Sequence, residues 1–153
     1  MNAAHLHLIT THAPATMVVI GAMAVIIALV RKSDELHRCA LILFAAAAIV
    51  SVIAYLTGEP AAEHLKTAVR VLPADEMDRH SEIAAIALGF IVFQGSFALV
   101  ALLVWRKKPL GKRIALTTLV LSLASGVLLA RTAQLGADIR HPELRSALSV
   151  QQR

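Results

Sequence analysis

Four stretches of this chain are almost free of charge, and each is long: Ala13–Val30, Cys39–Leu56, Ile83–Trp105 and Ile114–Ala130. A helix crossing a bilayer needs about 17–25 predominantly apolar residues, and each run falls in that range. One all-apolar helix can be the centre of a small soluble protein. Four in series, within 153 residues, leave no polar face with which to meet water. The charged share of the chain is 16%, against about 25% in an ordinary soluble domain, and those charges gather between the runs. The fold expected is therefore all-α: a transmembrane four-helix bundle running up-down-up-down. It forms one domain over residues 1–153, with spans at about 13–30, 39–56, 83–105 and 114–130.

The connecting segments set the orientation. The turn after the first run, RKSDELHR, holds three Lys/Arg, and RKKPLGKR after the third holds five. The positive-inside rule puts both short basic turns in the cytoplasm, with both termini and the long 2–3 connection outside. The expected location is the bacterial cytoplasmic (inner) membrane, with periplasmic termini. No Lys or Arg precedes the first run, so it lacks the basic flank of a secretory signal and is expected to remain as a span. The net charge of +5 is explained by these turns, and no nucleic-acid partner is expected. The single cysteine, Cys39, excludes an intramolecular disulfide.

The outer 2–3 connection has a pattern of its own. Ala61, Leu65, Ala68 and Leu72 recur at helical spacing after Pro60, which predicts a short amphipathic helix there. Pro73 ends it, and Ala-Asp-Glu opens the third long helix with acids near its positive end. That helix then carries Asp75, Asp78, His80 and Glu82 before its apolar part. Small residues crowd the spans, among them Ala45–Ala48, Gly89, Gly95, Ser122, Ser125 and Gly126. They allow close helix packing, or they leave room for a flat cofactor.

Sorting the histidines by this topology is the most informative step. His5, His7, His12, His64, His80 and His141 all lie outside, and only His37 lies in the cytoplasm. His7 and His12 are five residues apart, about 140° around a helix, so they do not share a face. Pro14 disfavours helical geometry at Ala13, so His7 and His12 either serve different partners or sit on an irregular entry segment. His12 is nearest the membrane and is either a ligand or an interfacial residue. Glu76, four residues before His80, is either its surface neighbour or a carboxylate that orients it. Gly136 is expected to end the fourth helix. Arg131 follows the fourth apolar run and is costly to bury alone. It either reaches the outer headgroups or meets an anion, which would be Glu59, Glu82 or an acidic group on a cofactor.

In order and spacing the chain resembles a prokaryotic family of four-span membrane proteins of unknown function. The residues that carry the resemblance are His7, His12 and Pro14 before the first span, and Thr57-Gly58 after the second. They continue with His80 and Glu82 at the third, and with Leu135-Gly136 through His141-Pro142-Glu143 after the fourth. Ala13 and Ala137 depart from the pattern. Some members of that family are fused to Rieske-type or cytochrome c modules, which implies an association with electron transfer.

Three functions fit these residues. The first is electron transfer through one or two b-type haems. His12 would pair with His80 and His7 with His141, with Arg131, Arg79 or Arg140 meeting the propionates. The second is a Cu, Zn or non-haem Fe site drawn from His7, His12, His80, His141, Glu59, Glu82 and Glu143, as an enzyme or a carrier. The third is an accessory subunit without catalysis, docked on a larger membrane complex or on copies of itself. A periplasmic cytochrome is the partner expected for the first. No nucleophile motif or phosphate loop points to hydrolase or kinase chemistry.

Overall fold

The computed structural model describes residues 3–60, 62–63 and 74–140. Four long helices account for nearly all of them: α1 (Ala3–Arg31), α2 (Asp34–Leu56), α3 (Ala74–Val104) and α4 (Lys112–Arg140). There is no strand among the described residues. α1 packs on α2, α2 on α3, α3 on α4, and α4 closes on α1, so α1 and α3 stand on one diagonal. This is the up-down-up-down bundle expected, and each helix is long and apolar enough to cross a membrane. The amphipathic helix expected after Pro60 falls mostly outside the described residues.

The bundle is built for an apolar solvent. Its surface carries large aliphatic side chains, among them Val30 at 79% exposure, Val127 at 70% and Ile49 at 65%. Its interior includes Gln94, Thr118, Ser122 and Ser125. Among single observations, buried polar groups and exposed large apolar surface are the informative ones. Here both occur, and both are what lipid requires: the outside needs no polar cover, and helices approach through small residues. Phe44, Leu41, Ile91, Val18 and Val25 fill the centre, with Ala40, Ala47, Ala98, Ala101 and Ala115 between them.

Two glycines make that packing feasible. A Cβ on Gly21 would lie 2.6 Å from Cε1 and 2.8 Å from Cζ of the Phe44 ring. A Cβ on Gly95 would collide with the Ala48 Cβ and come within 3.1 Å of the Phe44 carbonyl oxygen. Phe44 is thus held from α1 and from α3, and the small-residue stretches serve close packing. That is one of their two expected roles.

The basic end is closed by one ion pair. Ser33 caps α2, its hydroxyl accepting the Leu36 N–H at 3.3 Å. Asp34, in the first turn, accepts the Arg38 Nε–H at 2.8 Å and the Leu110 N–H at 2.6 Å. Arg38 in turn donates from Nη2 to the carbonyls of Trp105 and Lys108, both at 2.8 Å. The α3–α4 turn is therefore fastened to the start of α2 by side chains from a single helical turn.

Two helix boundaries differ from expectation. α1 runs without interruption through Pro14, which is buried inside it. A proline within a helix removes one backbone hydrogen bond. In a membrane helix, side-chain hydroxyls and neighbouring helices make that loss tolerable. Thr10 and Thr16 flank the site, donating to the carbonyls of His7 and His12 at 3.2 and 3.0 Å. α4 likewise continues past Gly136 to Arg140, and no glycine has positive φ among the described residues. Gly136 serves another purpose, described next.

Candidate functional site

His7 lies near the start of α1, at the end of the bundle away from the basic turns, against the last turn of α2. Its Nδ1–H donates to the Ala54 carbonyl at 2.9 Å and also faces the Thr57 hydroxyl oxygen at 3.3 Å. Thr57 spends its own hydrogen on the carbonyls of Ile53 and Ala54, each at 3.0 Å. Both groups facing Nδ1 therefore accept, so Nδ1 must carry the proton. In the neutral ring the lone pair is then on Nε2.

His80, two turns into α3, is held in the same way. Its Nδ1–H donates to the Thr132 carbonyl of α4 at 3.1 Å. A carbonyl only accepts, so this ring too has its lone pair on Nε2. The group that holds Nδ1 of His80 is thus a main-chain carbonyl of α4.

The two seats share one local recipe. In α2 the accepting carbonyl is that of Ala54, and the residue four later is Gly58. In α4 it is that of Thr132, and the residue four later is Gly136. In a helix the carbonyl of residue i already accepts the N–H of residue i+4, and Cβ atoms tilt toward the N-terminus. A side chain at i+4 would shade that carbonyl from a second donor. How far glycine is needed to keep it open depends on how close the ring lies. A Cβ on Gly58 would meet His7 Cε1 at 3.5 Å and Nδ1 at 3.9 Å. On Gly136 it would meet His80 Cε1 at 3.2 Å and Nδ1 at 3.6 Å. The same two ring atoms are approached in the same order, but only at Gly136 is the approach tighter than ordinary contact. The two hairpins thus share the carbonyl acceptor, while the need for glycine is confined to Gly136.

His7 and His80 lie on diagonal helices at one end of the bundle, close enough for their charges to interact. His12 points elsewhere: it is exposed, as 140° of helical rotation from the half-buried His7 requires. For the pairing expected between His12 and His80, the fold shows only that His12 faces outward, while His7 is a histidine whose charge acts on His80. His141 and Glu143 lie outside the described residues, as do His64 and the side chains of His5 and Arg140. Glu59 and Glu82 are exposed. Among the described residues, no three His, Cys, Asp or Glu side chains gather as a metal site would require.

Arg131 donates to the Gln134 side chain at 2.9 Å and is exposed. It also borders a small cavity of about 210 Å³ between α3 and α4, with Arg79, Glu82, Ile83 and Leu135. Glu82, one of the two acids expected near Arg131, thus shares its cavity. Two arginines against one glutamate leave that cavity positive, and its volume suits a carboxylate rather than a whole cofactor.

Sequence reasoning passed over two buried groups. His37 is 3% exposed, and Gln94 is fully buried in the middle of α3. The Nε2 of His37 and both polar side-chain atoms of Gln94 have no hydrogen-bond partner among the described residues. For His37 a signal existed, since it is the only histidine at the basic end. For Gln94 the signal was a lone amide in an apolar run. No family model, curated protein or solved structure matches this chain, so the four-helix bundle with its paired histidine seats stands on its own geometry.

Proposed function

We propose that the end of the bundle bearing His7 and His80 binds haem b and carries electrons at the periplasmic face of a bacterial inner membrane. The observation that supports this reading is the matched pair of imidazoles, each tied through Nδ1–H to a backbone carbonyl and each left with its lone pair on Nε2. An Nδ1–H to carbonyl bond is the usual way a ligand histidine is oriented and made more basic. His7 and His80 would hold a porphyrin iron as its two protein ligands. A catalytic zinc site needs three protein ligands and a structural one four, so the donor set among the described residues favours haem over a bare ion. Iron held this way supplies one-electron chemistry without a change of ligands.

In this reading the chain's own residues have distinct tasks. His7 and His80 coordinate, while Ala54 and Thr132 orient them. Gly136 keeps the approach to His80 open, and Arg79 and Arg131 offer positive charge to propionates. His12 is dispensable. The partner is a periplasmic cytochrome or a larger membrane complex.

The test is an absorption spectrum of the full chain, purified in mild detergent and titrated with haemin. A Soret band that sharpens with one equivalent, is lost in His7→Ala and in His80→Ala, and survives in His12→Ala is the expected outcome. Folded protein that takes up no porphyrin would refute the reading. Elemental analysis of the same sample separates a copper, zinc or non-haem iron site from haem.

A further inference from the structure

The basic end holds a second site of different chemistry. A cavity of about 590 Å³ opens there between the α1–α2 turn and the start of α4, within the 300–1,000 Å³ of ordinary ligand sites. Leu29, Val30 and Leu110 are among its apolar lining residues, and Lys32, Ser33, Lys112 and His37 bring polar groups to it. His37 is 3% exposed, and its Nε2 has no partner among the described residues. Asp34 also borders the cavity, but Arg38 and the Leu110 N–H already engage both its oxygens, so it offers little repulsion to an anion.

The backbone adds to the positive field. α2 begins at Asp34 and α4 at Lys112, so two helix N-termini meet the same cavity. N-termini carry partial positive charge and free N–H groups, which favour phosphate. Lys32 is the one non-glycine residue with positive φ among those described, at 53°. It stands one past the end of α1, where the Ser33 N–H returns to the Ala28 carbonyl at 3.0 Å. Glycine is the usual occupant of such a position. A lysine there puts a cation at the cavity mouth at the expense of backbone comfort.

We propose that this cavity binds the phosphate of an anionic amphiphile, with Lys32, Lys112 and the His37 imidazole meeting the phosphate and the apolar lining residues taking the attached chain. The basic turns lie at the headgroup level of the membrane, where anionic lipids concentrate on the cytoplasmic side. A phospholipid and a free phosphate share the recognised group, and the apolar lining residues distinguish them.

The test uses the full chain in a non-ionic detergent, with the imidazole resonances of His37 followed by NMR. The probes are dihexanoyl phosphatidylglycerol, dihexanoyl phosphatidylcholine and inorganic phosphate. The expected result is a saturable shift of His37 with phosphatidylglycerol, at least tenfold weaker with inorganic phosphate and with phosphatidylcholine. Lys32→Gly is the decisive variant, because it relieves the backbone: its thermal midpoint should rise while phosphatidylglycerol binding weakens about fivefold. Lys112→Ala, at an exposed position, should weaken binding similarly, and the double variant more than tenfold. Equal binding of inorganic phosphate would overturn the amphiphile and leave a phosphate site. A His37 signal indifferent to all three probes, or a double variant that binds undiminished, would overturn the site altogether.

Discussion

Replacing Gly136 with alanine tests the seat of His80 directly, because two opposed effects of similar size act on different observables. The added Cβ would sit 3.2 Å from His80 Cε1 and 3.6 Å from Nδ1. The first distance is inside ordinary van der Waals contact, so the ring must retreat by a few tenths of an ångström. The Nδ1–H bond to the Thr132 carbonyl is already 3.1 Å long, near the end of the 2.7–3.2 Å range, and retreat takes it outside. A hydrogen bond of this kind is worth about 0.5–1.5 kcal/mol net. Against that, alanine is favoured over glycine within a helix by about 1 kcal/mol. Global stability should therefore barely change, and a thermal melt alone would miss the effect. The His80 imidazole should register it: its Nδ1–H resonance shifts or broadens, and any ligand taken by Nε2 binds about fivefold more weakly, the equivalent of roughly 1 kcal/mol. Gly58→Ala is the internal control. Its Cβ would stand 3.5 Å from His7 Cε1, an ordinary contact, so His7 should keep its resonance. Should Gly136→Ala leave His80 undisturbed, or Gly58→Ala disturb His7 equally, the carbonyl-and-glycine seat would be wrong.

Three further outcomes follow from the packing. Arg38→Lys should lower stability by about 1.5–3 kcal/mol, read from denaturant unfolding in detergent, because one ammonium cannot serve Asp34, Trp105 and Lys108 with a fork's geometry. Asp34→Asn should lose less, and a Lys variant as stable as the parent would show that the clamp is unimportant. Gly21→Ala should cost about 1–3 kcal/mol by overpacking the Phe44 ring, and Phe44→Leu in the same chain should recover part of it; additive losses would place the strain elsewhere. Gln94→Met removes an amide with no partner among the described residues and keeps its length. The expected change is neutral or stabilising by up to about 1–3 kcal/mol, the cost of an unsatisfied buried polar group; a clear loss of stability would reveal a partner.

Several features of this protein follow from its sequence alone. Four charge-poor runs of membrane-spanning length leave helices as the only way to satisfy the backbone in lipid. Two short basic turns make neighbours of α1 and α2 and of α3 and α4. The five-residue spacing of His7 and His12 already says that the two rings face different ways. The Thr57-Gly58 and Leu135-Gly136 pairs were visible as motifs, and both prove to lie at a histidine.

The tertiary structure decided which histidines are seated on main-chain carbonyls, and why residue 136 is a glycine. The acceptors that seat the two rings are main-chain carbonyls of Ala54 and Thr132, and a carbonyl has no signature in a one-letter code. Gly136 reads locally as a helix end, yet the helix passes through it, and its missing side chain leaves room for a ring from α3. Pro14 reads locally as a break, yet it stays inside α1, buried against the packed helices. Local spacing fixes the direction in which a side chain leaves its own helix. What it meets depends on the rotation and depth of the helix opposite, and those are set only when all four pack together.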